Sequence, residues 1–594
     1  MLDKPRSLLG ALCATLAGAA LTACAYFPAA AEHDAAPTEA VVVAANPHAA
    51  EAGAEIIRRG GGAVDAAVAI LATLTLVEPQ SSGVGGGGFL LHYDAAAEAL
   101  DAYDGRETAP AAATPDLFLD GEGRPLPRLD AIASGRSIGA PSVIAMLKLA
   151  HDEHGALPWA TLFEPAIRLA EEGFDVSPRM HRVLSAVAQF GRLQRDPAAR
   201  AYLFLPNGDP LPIGHRLRNP LYAETLRAIA AQGPAALQRG PIAEAIVAQA
   251  QADPLPGGLT LADLQNVRPR RLDATCGRFR LYRVCSMPPP SSGGVAVIET
   301  LAIYERARPY PAGAAVIDDW AAYLWASRLA YADRDFYIGD DLYVPVPTAG
   351  LVNPRYHDAR ARLVDLASAP REPLAPGDPA AIVGGASLLD RWWRADDGEA
   401  PGTTHFVVMD LNGDVVSMTA TVESAFGAQR MAGGFFLNNQ LTDFSFAPAQ
   451  DGRPFANAVA PGKRPRSSMA PVIMLEQDGD FHAAIGSPGG GAIISYVSRT
   501  IIASEDWGLS LQEAVDLPHL ISASGEIRME TGFPQTIAEG LAARGWRFRP
   551  AAAEDSGLHG FRVTPGGGLE TAVDPRREGA VARVPRPAPR PPAG

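Results

Sequence analysis

The chain has 594 residues, 47% of them hydrophobic, and a formal net charge of −15. That length suits several domains or one large α/β unit, and the composition is globular, not disordered. The acidic balance speaks against nucleic acid or an anionic membrane surface as a partner.

Lys4 and Arg6 precede an apolar stretch over residues 8–21, too short to span a membrane comfortably. It ends in Leu21-Thr22-Ala23-Cys24, which resembles the lipobox of bacterial lipoproteins, where Cys24 is acylated and becomes the mature N-terminus. An ordinary signal peptide cut near Ala29-Ala30-Ala31 is the alternative. Both readings export the protein, to a bacterial periplasm in the lipid-anchored case. Residues 25–40 read as an Ala/Pro-rich tether.

Residues 40–45 form a first predicted strand, and Asn46-Pro47 starts a helix with an N-cap residue and Pro at the first position. Residues 63–77 are almost all apolar around Asp65, which predicts a buried core helix. The glycines of residues 83–88 invite a phosphate-loop reading. A strand (residues 89–93) follows where that chemistry needs a helix, and no Lys-Ser/Thr pair closes the run. Closely packed backbone is the better account. Arg106 sits in a polar cluster, residues 104–110, just after a strand. Residues 140–270 are mostly helical.

In residues 275–285 a hairpin turning at Arg280-Leu281 sets Cys276 opposite Cys285. Such a pair is close enough for a disulfide, which an exported protein permits. Two buried free thiols are the alternative. Residues 288–294 end that hairpin and feed another helix. From 403 to about 575 the pattern turns to hairpins with two short helical stretches, and the Pro/Arg-rich tail beyond Arg576 is expected to be disordered.

The change from helix-rich to strand-rich content falls at Gly402-Thr403-Thr404-His405. Residues 404–409 read as a strand, Asp410-Leu411-Asn412-Gly413 as a turn, and residues 415–421 as the returning strand. A three-residue loop with left-handed Gly413 pairs Asp410 with Asp414 and sets Thr421 opposite Thr403. A two-residue Asn412-Gly413 turn would face Thr421 to Thr404. The first register is expected, because Asp410 and Gly413 suit it. Paired threonines are at home in strands for β-propensity alone. They also suit an N-terminal nucleophile: cleavage between Gly402 and Thr403 would give Thr403 a free α-amine as base.

The remaining strand-rich half carries three further polar clusters. Asn438-Asn439-Gln440 and Asp443 follow the first hairpin, and Ser467-Ser468 enter a strand at residues 472–475. The return strand leaves into residues 486–491, where Gly489 and Gly490 precede a helix. Backbone N–H groups at a helix N-terminus are suited to an oxyanion hole.

Together these stretches resemble the γ-glutamyltransferases of the N-terminal-nucleophile hydrolase superfamily, from about residue 40 to Arg576. The matching pieces include residues 45–51, 65–68, 78–83, 106–110, 288–294, 332–334, 403–405, 438–440, 443–445, 464–469 and 486–490. The resemblance implies an α+β fold, a four-layer αββα sandwich built jointly by two subunits. A precursor would cut itself into a large subunit (41–402) and a small catalytic one (403–580), leaving a heterodimer, a lipobox-ending signal (1–24) and a disordered tail (581–594). It implies Thr403 as nucleophile, Thr421 as its hydrogen-bond partner, and Gly489 and Gly490 as oxyanion donors. Arg106, Ser467 and Ser468 would hold the substrate α-carboxylate, and Gln440 and Asp443 its α-amine. Glutathione or another γ-glutamyl amide would acylate Thr403, and water or an acceptor amino acid would release the acyl group. No cofactor is implied, and no His/Cys/Glu spacing suggests a metal.

Glu423 departs from the pattern, standing where the family usually carries an Asn that helps bind the substrate amine. The stretch after Asp443 is also short and lacks the lid tyrosine of some members, which suggests an open site. Two rivals follow: a related cephalosporin-type acylase using Thr403 on another acyl group, and an uncleaved binding lipoprotein of the same fold.

Overall fold

The computed structural model describes residues 37–395, 402–523, 526–564 and 566–587; the expectations for Cys24 and most of the tether fall outside them. Two antiparallel sheets lie face to face between helical layers, the expected αββα arrangement. The first has seven strands in the order Ala580–Pro585, Glu39–Ala44, Gly402–Met409, Val415–Glu423, Gly87–Asp94, Ala99–Gly105, Arg270–Asp273. The second has six: Leu569–Val573, His559–Val563, Phe481–Gly486, Val472–Leu475, Tyr282–Ser286, Thr275–Phe279.

Strand periodicity sorts the side chains between layers. Ala40, Val42 and Ala44 join the core under the outer helices Pro47–Arg58 and Ala63–Val77, while Val41 and Val43 face the second sheet. The helix Ala63–Val77 is buried throughout. Its one acidic side chain is anchored through one oxygen: Asp65 Oδ2 accepts from the N–H groups of Gly62, Ala156 and Leu157 at 3.1, 3.0 and 2.9 Å. On the far side, Gly293–Ala307, Ile317–Tyr337 and Ile493–Glu505 cover the six-stranded sheet.

Cys276 and Cys285 face each other across their hairpin with Cα atoms 4.1 Å apart, and they form a disulfide. Asn46 caps its helix by accepting from the His48 N–H at 3.0 Å. Among the described residues three α-helices, not two, punctuate the strand-rich half: Ile493–Glu505, Leu511–Asp516 and Gln535–Ala543.

The tail expectation is corrected as far as residue 587, the rest of the tail lying outside the described residues. Ala580–Pro585 is an edge strand, paired with Glu39–Ala44 from Glu39↔Pro585 to Ala44↔Ala580. Its alternation is hidden by Pro and Arg, and Pro585 is tolerated because it ends an edge strand.

Candidate active site

The Gly402–Met409 and Val415–Glu423 strands form the hairpin on which the site is built. The Asp410 N–H donates to the Asp414 carbonyl at 3.0 Å, and Gly413 takes φ +93°. The resulting register sets Thr421 opposite Thr403. Their hydroxyl oxygens are 3.1 Å apart, and both residues are buried. Thr421 also donates to the Gly402 carbonyl at 2.7 Å and accepts from the Glu423 N–H at 2.8 Å. A hydroxyl has one proton. With Thr421 donating to Gly402, Thr403 is the donor between the two threonines.

Close packing explains the glycines. A Cβ on Gly402 would lie 2.4 Å from the Glu423 carbonyl oxygen, and one on Gly86 would lie 2.0 Å from that of Thr421. The 83–88 run is therefore the backbone bed of the hairpin, and a strand follows it as expected.

All the predicted catalytic and substrate-binding residues except Gly489 line one narrow cleft around Thr403, joined by Met469 and Ile493. Arg106 donates to the Asp443 carboxylate at 2.6 Å and to the carbonyls of Arg466 and Pro465 at 2.6 and 3.1 Å. Gln440 Nε2 donates to the same Asp443 oxygen at 2.7 Å. Gln440 Oε1 is buried with no hydrogen-bond donor among the described residues, so it is poised to accept from a ligand. Ser467 and Ser468 are braced from behind. The Ser292 N–H and hydroxyl both donate to the Ser467 carbonyl at 2.7 Å, and Arg334 donates to Ser468 Oγ at 2.6 Å. Gly490 opens a tight helical turn leading into Ile493–Glu505, and Gly489 just before it takes φ +135°. A Cβ on Gly489 would meet the Tyr496 ring at 2.5 Å.

Glu423 ends its strand at φ +80°, after a register shift that separates it from Thr421. Its carboxylate accepts from Ser424 Oγ at 2.5 Å and from Asn439, and Arg128 lies 3.5 Å from its other oxygen. Behind Arg106, burial pushes the Glu107 carboxyl up to about 8, against the pull of the Arg106 guanidinium. His405, under Thr403, bonds Thr419 Oγ1 at 2.9 Å; burial, aided by His559, holds it well below the ordinary histidine range. It is a neutral packing residue.

Residues 49–584 match the family model described as gamma-glutamyltranspeptidase. The chain belongs to the γ-glutamyltranspeptidase family. It is an enzyme. The glutathione hydrolase proenzyme of Bacillus subtilis (strain 168) is 34% identical over 553 residues, covering 92% of each chain. The acylase ACY 1 proenzyme of Pseudomonas sp. (strain SE83) is also 34% identical, over 92% of this chain and 93% of that one. Among solved structures, the cephalosporin acylase from Bacillus halodurans superposes with a TM-score of 0.79 at 26% identity, covering 92% of this chain and 96% of the other.

Some residues of this γ-glutamyltranspeptidase site carried no sequence signal. Arg577, in the stretch read as a tail, is buried and donates to the Thr403 carbonyl at 2.7 Å and to that of Asp555 at 3.0 Å. Arg464 opens the matching stretch 464–469, but its contacts were not legible: it holds Asp340 at 3.1 Å and Asp104, tying the Ser467 segment to the Arg106 loop. The motif residues Ser292 and Arg334 were visible, but not their bracing of Ser467 and Ser468. Among the described residues, one cluster has metal-ligating chemistry: His92, Asp101 and His154. It is engaged internally. Arg271 grips Asp101 with two bonds of 2.9 Å, and the Tyr103 hydroxyl meets His154 at 2.8 Å.

Proposed function

We propose that the chain is a self-processing γ-glutamyl acyltransferase and hydrolase in which Thr403 is both processing and catalytic nucleophile. The observation that carries the reading is the relay from Thr403 Oγ1 to Thr421 Oγ1 to the Gly402 carbonyl oxygen, at 3.1 and 2.7 Å. Thr403 Oγ1 attacks the Gly402 carbonyl carbon, and the Thr421 hydroxyl stabilises the developing oxyanion. The C–N bond breaks, an ester to Thr403 forms, and the nitrogen takes the hydroxyl proton. The shift thus frees the Thr403 α-amine, and water then hydrolyses the ester, releasing the Gly402 carboxylate and regenerating the Thr403 hydroxyl. The products are a large and a small subunit.

In the mature enzyme that amine takes the hydroxyl proton as Thr403 attacks the γ-carbonyl of a γ-glutamyl amide. The leaving amine receives the proton, and a γ-glutamyl ester remains. Gly489 and Gly490 offer backbone donors to the oxyanion at the start of a helix. Arg106, Ser467 and Ser468 grip the α-carboxylate, the first by charge-assisted bonds. Gln440, Asp443 and Glu423 supply acceptors for the α-ammonium. Water or an acceptor amine then takes the acyl group, glutathione being the donor that the proenzyme relatives' name suggests. Cys24 anchors the exported protein through lipid; a mature N-terminus beyond Cys24, without acyl groups, would remove that part of the proposal.

The test is release of p-nitroaniline from γ-glutamyl-p-nitroanilide, with and without an acceptor dipeptide. Turnover stimulated by the dipeptide supports acyl transfer, and turnover by water alone supports hydrolysis. A second reading, an amidase for another acyl group, draws on the likeness to cephalosporin acylase. It predicts release from other acyl anilides and none from the γ-glutamyl one.

A further inference from the structure

Beside the Glu423 end of the cleft stands a cation that neither the family resemblance nor the proposed mechanism uses. Arg128 begins the short helix Arg128–Ile132 and lies over the Phe446 ring, 5.7 Å from its centroid. Phe446 in turn stacks on Phe118 at 4.6 Å. From this rim the guanidinium reaches 3.5 Å from Glu423 Oε1. The two partners differ in freedom: the Arg128 side chain is 34% exposed, and that of Glu423 is 2% exposed. Glu423 itself is fixed by Ser424 and Asn439. A buried carboxylate fixed in a cleft needs a counter-charge; a half-exposed arginine can supply it or swing into water.

Resting on the γ-glutamyl reading above, we propose that Arg128 is an exchangeable counter-ion for Glu423 that lets the site accept acyl groups with or without an α-ammonium. When a γ-glutamyl donor binds, its ammonium approaches Glu423 and Asp443, and Arg128 retreats toward solvent. When the acyl chain is a dicarboxylic monoamide without the amine, Arg128 stays and balances Glu423. Asp443 needs no such substitute, because Arg106 already pairs with it at 2.6 Å. Arg128 is therefore a specificity-determining residue. It touches no reacting atom.

The experiment compares γ-glutamyl-p-nitroanilide with glutaryl-p-nitroanilide, identical but for the α-amine, on the processed enzyme. Wild type should cleave both. Arg128→Met keeps the packing on Phe446 and removes the charge. It should raise the γ-glutamyl-to-glutaryl ratio of kcat/KM by about five- to tenfold, a modest effect because the pair is partly solvent-screened. The change should fall mainly on KM for the glutaryl substrate. Arg128→Lys should restore the wild-type ratio. An unchanged ratio in Arg128→Met, or an equal loss on both substrates, would show only a packing role and overturn the proposal. A wild type that cleaves the γ-glutamyl anilide but not the glutaryl one overturns it too, while leaving the functional reading intact. A wild type that cleaves neither overturns the functional reading, and this inference with it.

Discussion

Thr421→Val is the sharpest probe of the relay at the junction, because valine keeps the shape of threonine and removes only its hydroxyl function. Three contacts disappear: the bond to the Gly402 carbonyl at 2.7 Å, the Thr403 contact at 3.1 Å and the Glu423 N–H bond at 2.8 Å. Losing a single oxyanion donor costs about 10²–10³ in rate, or roughly 3–4 kcal/mol. The orphaned Glu423 N–H, buried with its residue, adds roughly 1–3 kcal/mol of destabilisation, which a thermal scan would read separately. Processing is followed as conversion of one precursor band into two on a denaturing gel over time. The half-time should lengthen by at least about a hundredfold, and Thr421→Ser should recover most of the rate. If Thr421→Val matures at the wild-type rate, the Gly402 carbonyl is not activated through Thr421 and the relay has no chemical role.

Three further outcomes are expected. Arg106→Met should lower kcat/KM for γ-glutamyl-p-nitroanilide by about 10- to 150-fold, corresponding to roughly 1.5–3 kcal/mol for a charged hydrogen bond. The 4-aminobutyryl anilide, which lacks only the α-carboxylate, should change much less; equal losses on both would deny Arg106 its proposed role. Glu107→Gln tests a buried carboxyl raised to about 8 by burial. A raised carboxyl pKa means that the folded state holds the proton: its stability contribution is full below the unfolded value near 4.5 and is lost as pH rises through about 8. The variant should gain thermal stability relative to wild type between pH 5 and pH 8, and a difference independent of pH would refute the assignment. Replacing Cys276 and Cys285 by alanine opens a loop spanning nine positions and should destabilise by about 2–3 kcal/mol; an unchanged melting temperature in oxidising buffer would count against a structural disulfide.

What was legible in the sequence was what local chemistry decides. Asp410 and Gly413 specify a turn, the turn specifies a register, and the register alone sets Thr421 against Thr403. The Cys276–Cys285 pairing followed from the same logic, although sequence could not choose between bonded and free thiols. The bed of glycines under the hairpin was recognisable by exclusion, because a strand followed it. What was not legible depends on partners far apart in the chain. Arg577 reaches Thr403 across a separation of 174 residues, and Arg128 reaches Glu423 across 295. Neither arginine stands out locally, since one sits in a Pro/Arg-rich stretch and the other at the start of a short helix with no motif around it. The edge strand Ala580–Pro585 becomes a strand only by pairing with Glu39–Ala44 at the opposite end of the described chain.

These distant contacts converge on one physical requirement. A hydroxyl nucleophile is productive only when the carbonyl that it attacks and the groups around it are held rigidly. The hairpin supplies the Thr403–Thr421 distance by local rules. The rest is supplied from both sides of the junction: Arg577 fixes the Thr403 carbonyl, while Arg464, paired with Asp104 and Asp340, holds the Ser467 segment against the Arg106 loop. Buried ion pairs contribute little net stability once desolvation is counted, but removing one partner is expensive. Their value here is geometric. With the proposed cut at Gly402–Thr403, they would keep the two halves of the chain in register when the covalent link no longer does so.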